Sequence, residues 1–148
     1  MKEENVTKTL LKWLTEAQWE IVCFDFPQSG TGKVLHPNTT TSKTEGAIIP
    51  DIIAYKRGIV VIFENKDRFV MADFNKVQFL RSTSIYDKSL NSLLVNRPYS
   101  KIYYGIGMPH SDNNYRKAEN NATMVDFIVY VKDSGNILTT DNKGTIFI

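Results

Sequence analysis

Apolar residues recur at helical spacing at the start of the chain: Val6, Leu10, Leu14 and Ala17 form one stripe within residues 4 to 18, widened by Leu11 and Trp13. An amphipathic helix packed on a core is expected there. Ile21 to Phe26 is a β-branched and aromatic run closed by Pro27, and reads as a strand. A polar stretch of eighteen residues follows, Gln28 to Glu45, rich in Gly, Thr and Ser. It forms a loop or a distorted hairpin, and ordered loops of this length usually carry a function. Ile48 to Tyr55 and Ile59 to Lys66 are two further strands, separated by Lys56-Arg57-Gly58.

Helical spacing returns at Ala72 to about Leu94, where Phe74, Val77, Leu80 and Ile85 recur, Asp73 is available as N-cap, and Ser82-Thr83-Ser84 is placed to bend or interrupt the helix. Lys101 to Met108 alternates Ile102, Tyr104, Ile106 and Met108 as a strand, closed by Pro109. The remainder reads as a polar loop from His110 to Thr123, a strand near Asp126 to Lys132, a turn at Asp133-Ser134-Gly135-Asn136, and short strands beyond. The predicted order is helix, three strands, helix, strand, then C-terminal strands that extend the sheet or form an edge.

The hairpin between the second and third strands carries the chemistry. If Arg57 and Gly58 form a two-residue loop, Lys56 faces Ile59, Tyr55 faces Val60, and paired positions sum to 115. Asp51 then lies opposite Glu64, with Cβ atoms roughly 5 Å apart, and Lys66 projects from the same face as Glu64. One more residue in the turn would put Asp51 opposite Phe63 instead. Opposed carboxylates destabilise a sheet unless something offsets their repulsion, and a hard cation bound by oxygen does so. The plain alternative is that Asp51 caps a strand while Glu64 and Lys66 mark a solvated strand end. Asp141-Asn142-Lys143 repeats the acid-x-lysine spacing without a preceding apolar run, and its Gly144 neighbour marks a turn.

Pro50-Asp51, twelve intervening residues, and Glu64-Asn65-Lys66 resemble the signature of the PD-(D/E)xK nucleases, the restriction endonuclease-like superfamily, over roughly residues 1 to 108. The resemblance implies an α/β (α+β) fold with a central mixed β-sheet flanked by helices, in the order α-β-β-β-α-β. It implies Mg²⁺, with Mn²⁺ able to substitute, held by Asp51, Glu64 and the backbone carbonyl of Asn65. Lys66 would orient or activate the attacking water and stabilise charge at the phosphate, and cleavage of the P–O3′ bond would leave 5′-phosphate ends. Many members add an acid from the first helix. Glu4 is favoured here over Glu3, Glu16 and Glu20, with Glu45 a further candidate and a solvated N-terminal acid the alternative.

DNA contacts would come from Ser29 and Lys33 in the long loop, from Arg68, and from Lys76, Gln78 and Arg81 on the second helix, although charged residues also belong on any solvated helix face. Ser29-Gly30-Thr31-Gly32-Lys33 lacks the Walker spacing. It resembles the Ser-Gly loop of archaeal Holliday junction resolvases, but with a longer spacer to Asp51. The function expected is a small type II restriction endonuclease or nuclease subunit. The alternatives are a junction resolvase-like nuclease and a catalytically silent DNA-binding or interaction module of the same fold. Cutting both strands of a duplex calls for a homodimer or a partner subunit.

Composition narrows the setting. The chain has 148 residues and a net charge of +2, consistent with one domain, 1–148, and neither demanding nor excluding nucleic acid. The single Cys23 cannot form an internal disulfide, no apolar stretch reaches membrane-spanning length, and the polar start is not that of a signal peptide. A soluble cytoplasmic protein is expected. His36 and His110 lie outside metal-ligand spacing, and Trp13 and Trp19 are expected to pack the first helix.

Overall fold

The computed structural model describes residues 1–26, 29–38, 46–142 and 144–147. Its elements are α1 (Glu3–Glu16), β1 (Glu20–Phe24), β2 (Ile52–Lys56), β3 (Ile59–Asn65), α2 (Met71–Ser82), α3 (Asp87–Leu93), β4 (Lys101–Pro109), α4 (Asp112–Glu119), β5 (Phe127–Val131) and β6 (Ile137–Asp141). The strands form one mixed sheet in chain order. β1, β2 and β3 pair antiparallel, β4 joins β3 and β5 joins β4 in parallel, and β6 returns antiparallel on β5.

The period-two alternation of the strands sends side chains to two buried faces. Ile52, Ala54, Val61, Phe63, Phe127, Val129 and Val131 meet Val6, Leu10 and Leu14 of α1 on one face. Ile53, Val60 and Ile62 meet Leu80 of α2 and Leu90 of α3 on the other, where Ile106, Met108, Ile128 and Tyr130 meet Phe74, Val77 and Ala118. A sheet covered on both sides explains the uninterrupted apolar runs of β3 and β5. Gly105 and Gly107 of β4 have no room for a side chain: a Cβ at Gly107 would run into Leu10 and Asn65, and one at Gly105 into Phe127.

The predicted element order is present, with local differences. The helix expected over Ala72 to Leu94 is two helices, α2 and α3, because Thr83 is extended and its Oγ1 accepts the Ile85 N–H in a local turn. Val70, not Asp73, is the N-cap of α2; Asp73 is the third helical residue and is buried. The polar segment expected to be a loop contains α4, capped by Ser111 Oγ on the Asn114 N–H, and a 3₁₀ turn at Ala122–Met124. Its helicity was hidden because α4 buries only Asn114 and Ala118.

β2 begins at Ile52 rather than Ile48. Ile48 instead bridges the buried Leu35, so the described part of the long polar segment folds back on itself. Residues 39–45, with the candidate Glu45, lie outside the described residues. Asp141 closes β6 opposite Phe127, so the second acid-x-lysine triplet starts on a strand end and not in a turn; its Lys143 is outside the described residues. Trp13 and Trp19 pack on Phe147. Among the described residues, no helix is long and apolar enough to cross a membrane.

Candidate active site

Arg57 and Gly58 both have positive φ, 51° and 82°, as a two-residue type I′ hairpin turn requires. The β2–β3 ladder therefore runs from Lys56↔Ile59 to Ile52↔Phe63, every pair summing to 115. Asp51 departs from that ladder. Its N–H donates to the Phe63 carbonyl (3.1 Å) and its carbonyl accepts the Asp25 N–H (2.9 Å). Its carboxylate reaches past Glu64, and Oδ2 accepts the Asn65 backbone N–H at 2.7 Å. The expected direct pairing of Asp51 with Glu64 is thus replaced by a carboxylate clamped to the β3 backbone one residue further on. The two acids still bear on each other electrostatically: burial first, and then the Glu64 charge, push the Asp51 carboxyl up to about 7.

Glu64 is raised by burial and held down by Lys76, whose Nζ lies 3.1 Å from Glu64 Oε2. The Glu64 side chain is only 15 % exposed, with Ile62, Val77, Leu80 and Tyr104 lining the crevice beside the pair. Lys66 lies on the same face and its positive charge acts on both Glu64 and Asp73. Its N–H donates to the Gly107 carbonyl. Among the described residues, the Lys66 side chain forms no hydrogen bond or ion pair.

Asn65 turns to the other face, where its buried Nδ2 donates to Thr7 Oγ1 at 3.0 Å and ties β3 to α1. Glu3, Thr7, Leu10 and Leu14 share one stripe of α1, so Glu3 is the helix-one acid whose charge also raises Asp51. Glu4, the acid favoured from sequence, is instead paired with Lys8 at 3.0 Å. Glu16 pairs with Lys12, and Glu20 is held by Arg97 through two 2.9 Å bonds.

Asp73 is a further acid of this cluster that sequence reasoning used only as a helix cap. It is buried, its Oδ2 has no hydrogen-bond partner among the described residues, and burial raises it against the charges of Lys66, Lys76 and Arg68. The stripe 3-7-10-14 was a legible signal for Glu3. Nothing in the pattern pointed to the Lys76–Glu64 contact.

The proposed DNA-contact residues divide. Ser29 Oγ donates to Asp25 Oδ1 (3.3 Å) and Thr31 Oγ1 to the Phe24 carbonyl (2.7 Å). Since Asp25 bonds the Asp51 backbone, this loop is fastened to the acidic end of the sheet. Lys33 is exposed, and its charge acts on Cys23 of the edge strand. Arg68 is exposed and bonded to Asp67, and Gln78 is exposed. Lys76 is committed to Glu64. Arg81 is committed to Asp126 and the Thr123 carbonyl, so it joins α2 to the segment before β5 rather than projecting to solvent. His36 and His110 are apart from the cluster: His36 bonds Ser89 through its backbone, and His110 packs on Tyr115 and Tyr130.

The donor chemistry fits an oxygen-seeking divalent ion. Two part-buried carboxylates with raised pKa values repel each other, and a hard cation relieves that repulsion. Among the described residues, no three of His, Cys, Asp and Glu are grouped to hold an ion together. Asp51 and Glu64 would therefore share it with a backbone carbonyl, that of Asn65, and with water. No protein-family model matches the chain, and no curated protein or solved structure matches it.

Proposed function

We propose that the protein is a Mg²⁺-dependent endodeoxyribonuclease with a restriction endonuclease-like core. The observation that carries this reading is the placing of Asp51, clamped on the Asn65 N–H, beside Glu64 at the end of the β2–β3 hairpin, with a Lys66 side chain that is unpaired among the described residues acting on Glu64 from two residues beyond. The sheet order and the α1-β1-β2-β3-α2-α3-β4 succession support the core.

Hydrolysis of an unactivated phosphodiester needs a barrier reduction on the order of 20 kcal/mol, more than a lone lysine supplies. A bound Mg²⁺ supplies Lewis-acid polarisation of the phosphoryl oxygen and a more acidic bound water. Asp51 and Glu64 would hold it as anionic ligands, and the Asn65 N–H holds Asp51 in place. Lys66 donates to a non-bridging phosphate oxygen or orients the attacking water. The water oxygen bonds to phosphorus, the P–O3′ bond breaks, and the 3′ oxygen leaves as a hydroxyl, giving a 5′-phosphate. Ser29, Lys33 and Arg68 would contact the DNA backbone, and a homodimer or partner subunit would supply the second cut.

A catalytically silent DNA-binding or interaction module is the second reading, favoured by the Lys76 ammonium already neutralising Glu64 and by the absence of a three-acid ligand group among the described residues. Incubation of linear, supercoiled and four-way-junction DNA with Mg²⁺ or EDTA, followed by end analysis, separates these. Mg²⁺-dependent cutting with 5′-phosphate ends supports the nuclease, and selective cutting of junctions identifies a resolvase. Binding without cutting on every substrate supports the silent module.

A further inference from the structure

Lys76 occupies the place where a nuclease of this kind would need a cation. Its ammonium is 3.1 Å from a Glu64 oxygen, in a part-buried pair backed by apolar side chains, and its charge also acts on Asp51 and Asp73. One positive charge there offsets two repelling carboxylates while no metal is bound. A divalent ion ligated by Glu64 would compete with it for that oxygen, and an ammonium held in contact with a divalent ion is disfavoured by like-charge repulsion.

The displaced ammonium has a destination. Asp73 lies three residues earlier on α2, a spacing at which helical side chains are neighbours. The residue is 9 % exposed, and its Oδ2 is buried without a hydrogen-bond partner. Buried carboxylate oxygens are normally satisfied, so this one is an acceptor that no donor among the described residues uses.

Resting on the metal-binding reading above, we propose that Lys76 is a built-in counter-cation for Glu64 that a divalent ion displaces, and that Asp73 receives the displaced ammonium. Lys76 is thereby a positioning residue. It keeps the two acids together without metal and sets how tightly metal binds, because every binding event must first break its ion pair.

Calorimetric titration of the full chain with MnCl₂ at pH 8 tests this without reference to cleavage. Lys76→Met should bind Mn²⁺ about tenfold more tightly than wild type while the metal-free protein melts at a lower temperature. Lys76→Gln provides the same comparison should the methionine variant fold poorly. Asp73→Asn should bind about threefold or more weakly in the wild-type background, and that loss should largely vanish in the Lys76→Met background, because no ammonium then needs a partner. Equal or weaker Mn²⁺ binding by both Lys76 variants overturns the proposal and leaves the nuclease reading standing. An Asp73→Asn loss of the same size in both backgrounds overturns the role of Asp73. Absence of Mn²⁺ binding by every form overturns both the proposal and the metal-dependent reading.

Discussion

The Asp51 carboxylate accepts the backbone N–H of Asn65 at 2.7 Å, so one catalytic candidate is held by the peptide group that follows the other. This bond favours the ionised form, yet burial and the Glu64 charge outweigh it. The site is therefore electrostatically strained despite the Lys76 ammonium, and that strain is measurable.

The folded protein holds the Asp51 proton up to about pH 7, whereas an unfolded chain releases it near the ordinary aspartate value of 3.8. The folded state binds more protons in that window, so stability falls as pH rises through it. At about 1.4 kcal/mol per pH unit the loss is bounded at ~4 kcal/mol. Asp51→Asn, which keeps an acceptor for the Asn65 N–H, should melt at a higher temperature than wild type at pH 8 and should lose much of the pH slope. Thermal melts of the two proteins from pH 4 to pH 8 check this.

Protons and metal compete for Asp51 and Glu64. The melting-temperature rise caused by Mg²⁺ should accordingly be larger at pH 8 than at pH 6, and should disappear in an Asp51→Ala, Glu64→Ala double variant. Melts with and without the ion at the two pH values provide the measurement.

The Asn65 side chain makes a separate, structural contribution. Its Oδ1 is buried without a partner and its Nδ2 relies on Thr7 Oγ1. Thr7→Val should leave both amide atoms unsatisfied at a cost of about 1–3 kcal/mol, read by urea denaturation. The change should also loosen α1 and with it Glu3.

Much of this arrangement was legible from the chain because it rests on short-range rules. The period-two and helical patterns placed α1, β1, β3 and β4, ran α2 and α3 together and started β2 early, while Arg57-Gly58 set a turn length that put Asp51 and Glu64 on one end of the hairpin. What the pattern could not convey came from tertiary contacts. The slip at Asp51 depends on pairing with β1 through Asp25, and the choice of Glu3 over Glu4 depends on which face of α1 meets Asn65. Lys76 and Asp73 join the site only because α2 packs across β3 and β4. α4 was missed because nearly all of its surface is polar and its stabilising groups, the Ser111 cap and Asn114, bond to backbone.

Cleavage of supercoiled plasmid with Mg²⁺ tests the central claim most directly, comparing wild type with Asp51→Ala and Lys66→Ala at matched DNA binding. Wild type should give nicked or linear product, and none without Mg²⁺, while both variants should lose cleavage by at least ~10³-fold with binding retained. Equal inertness of all three proteins with binding intact, or cleavage by Asp51→Ala at the wild-type rate, would contradict that claim.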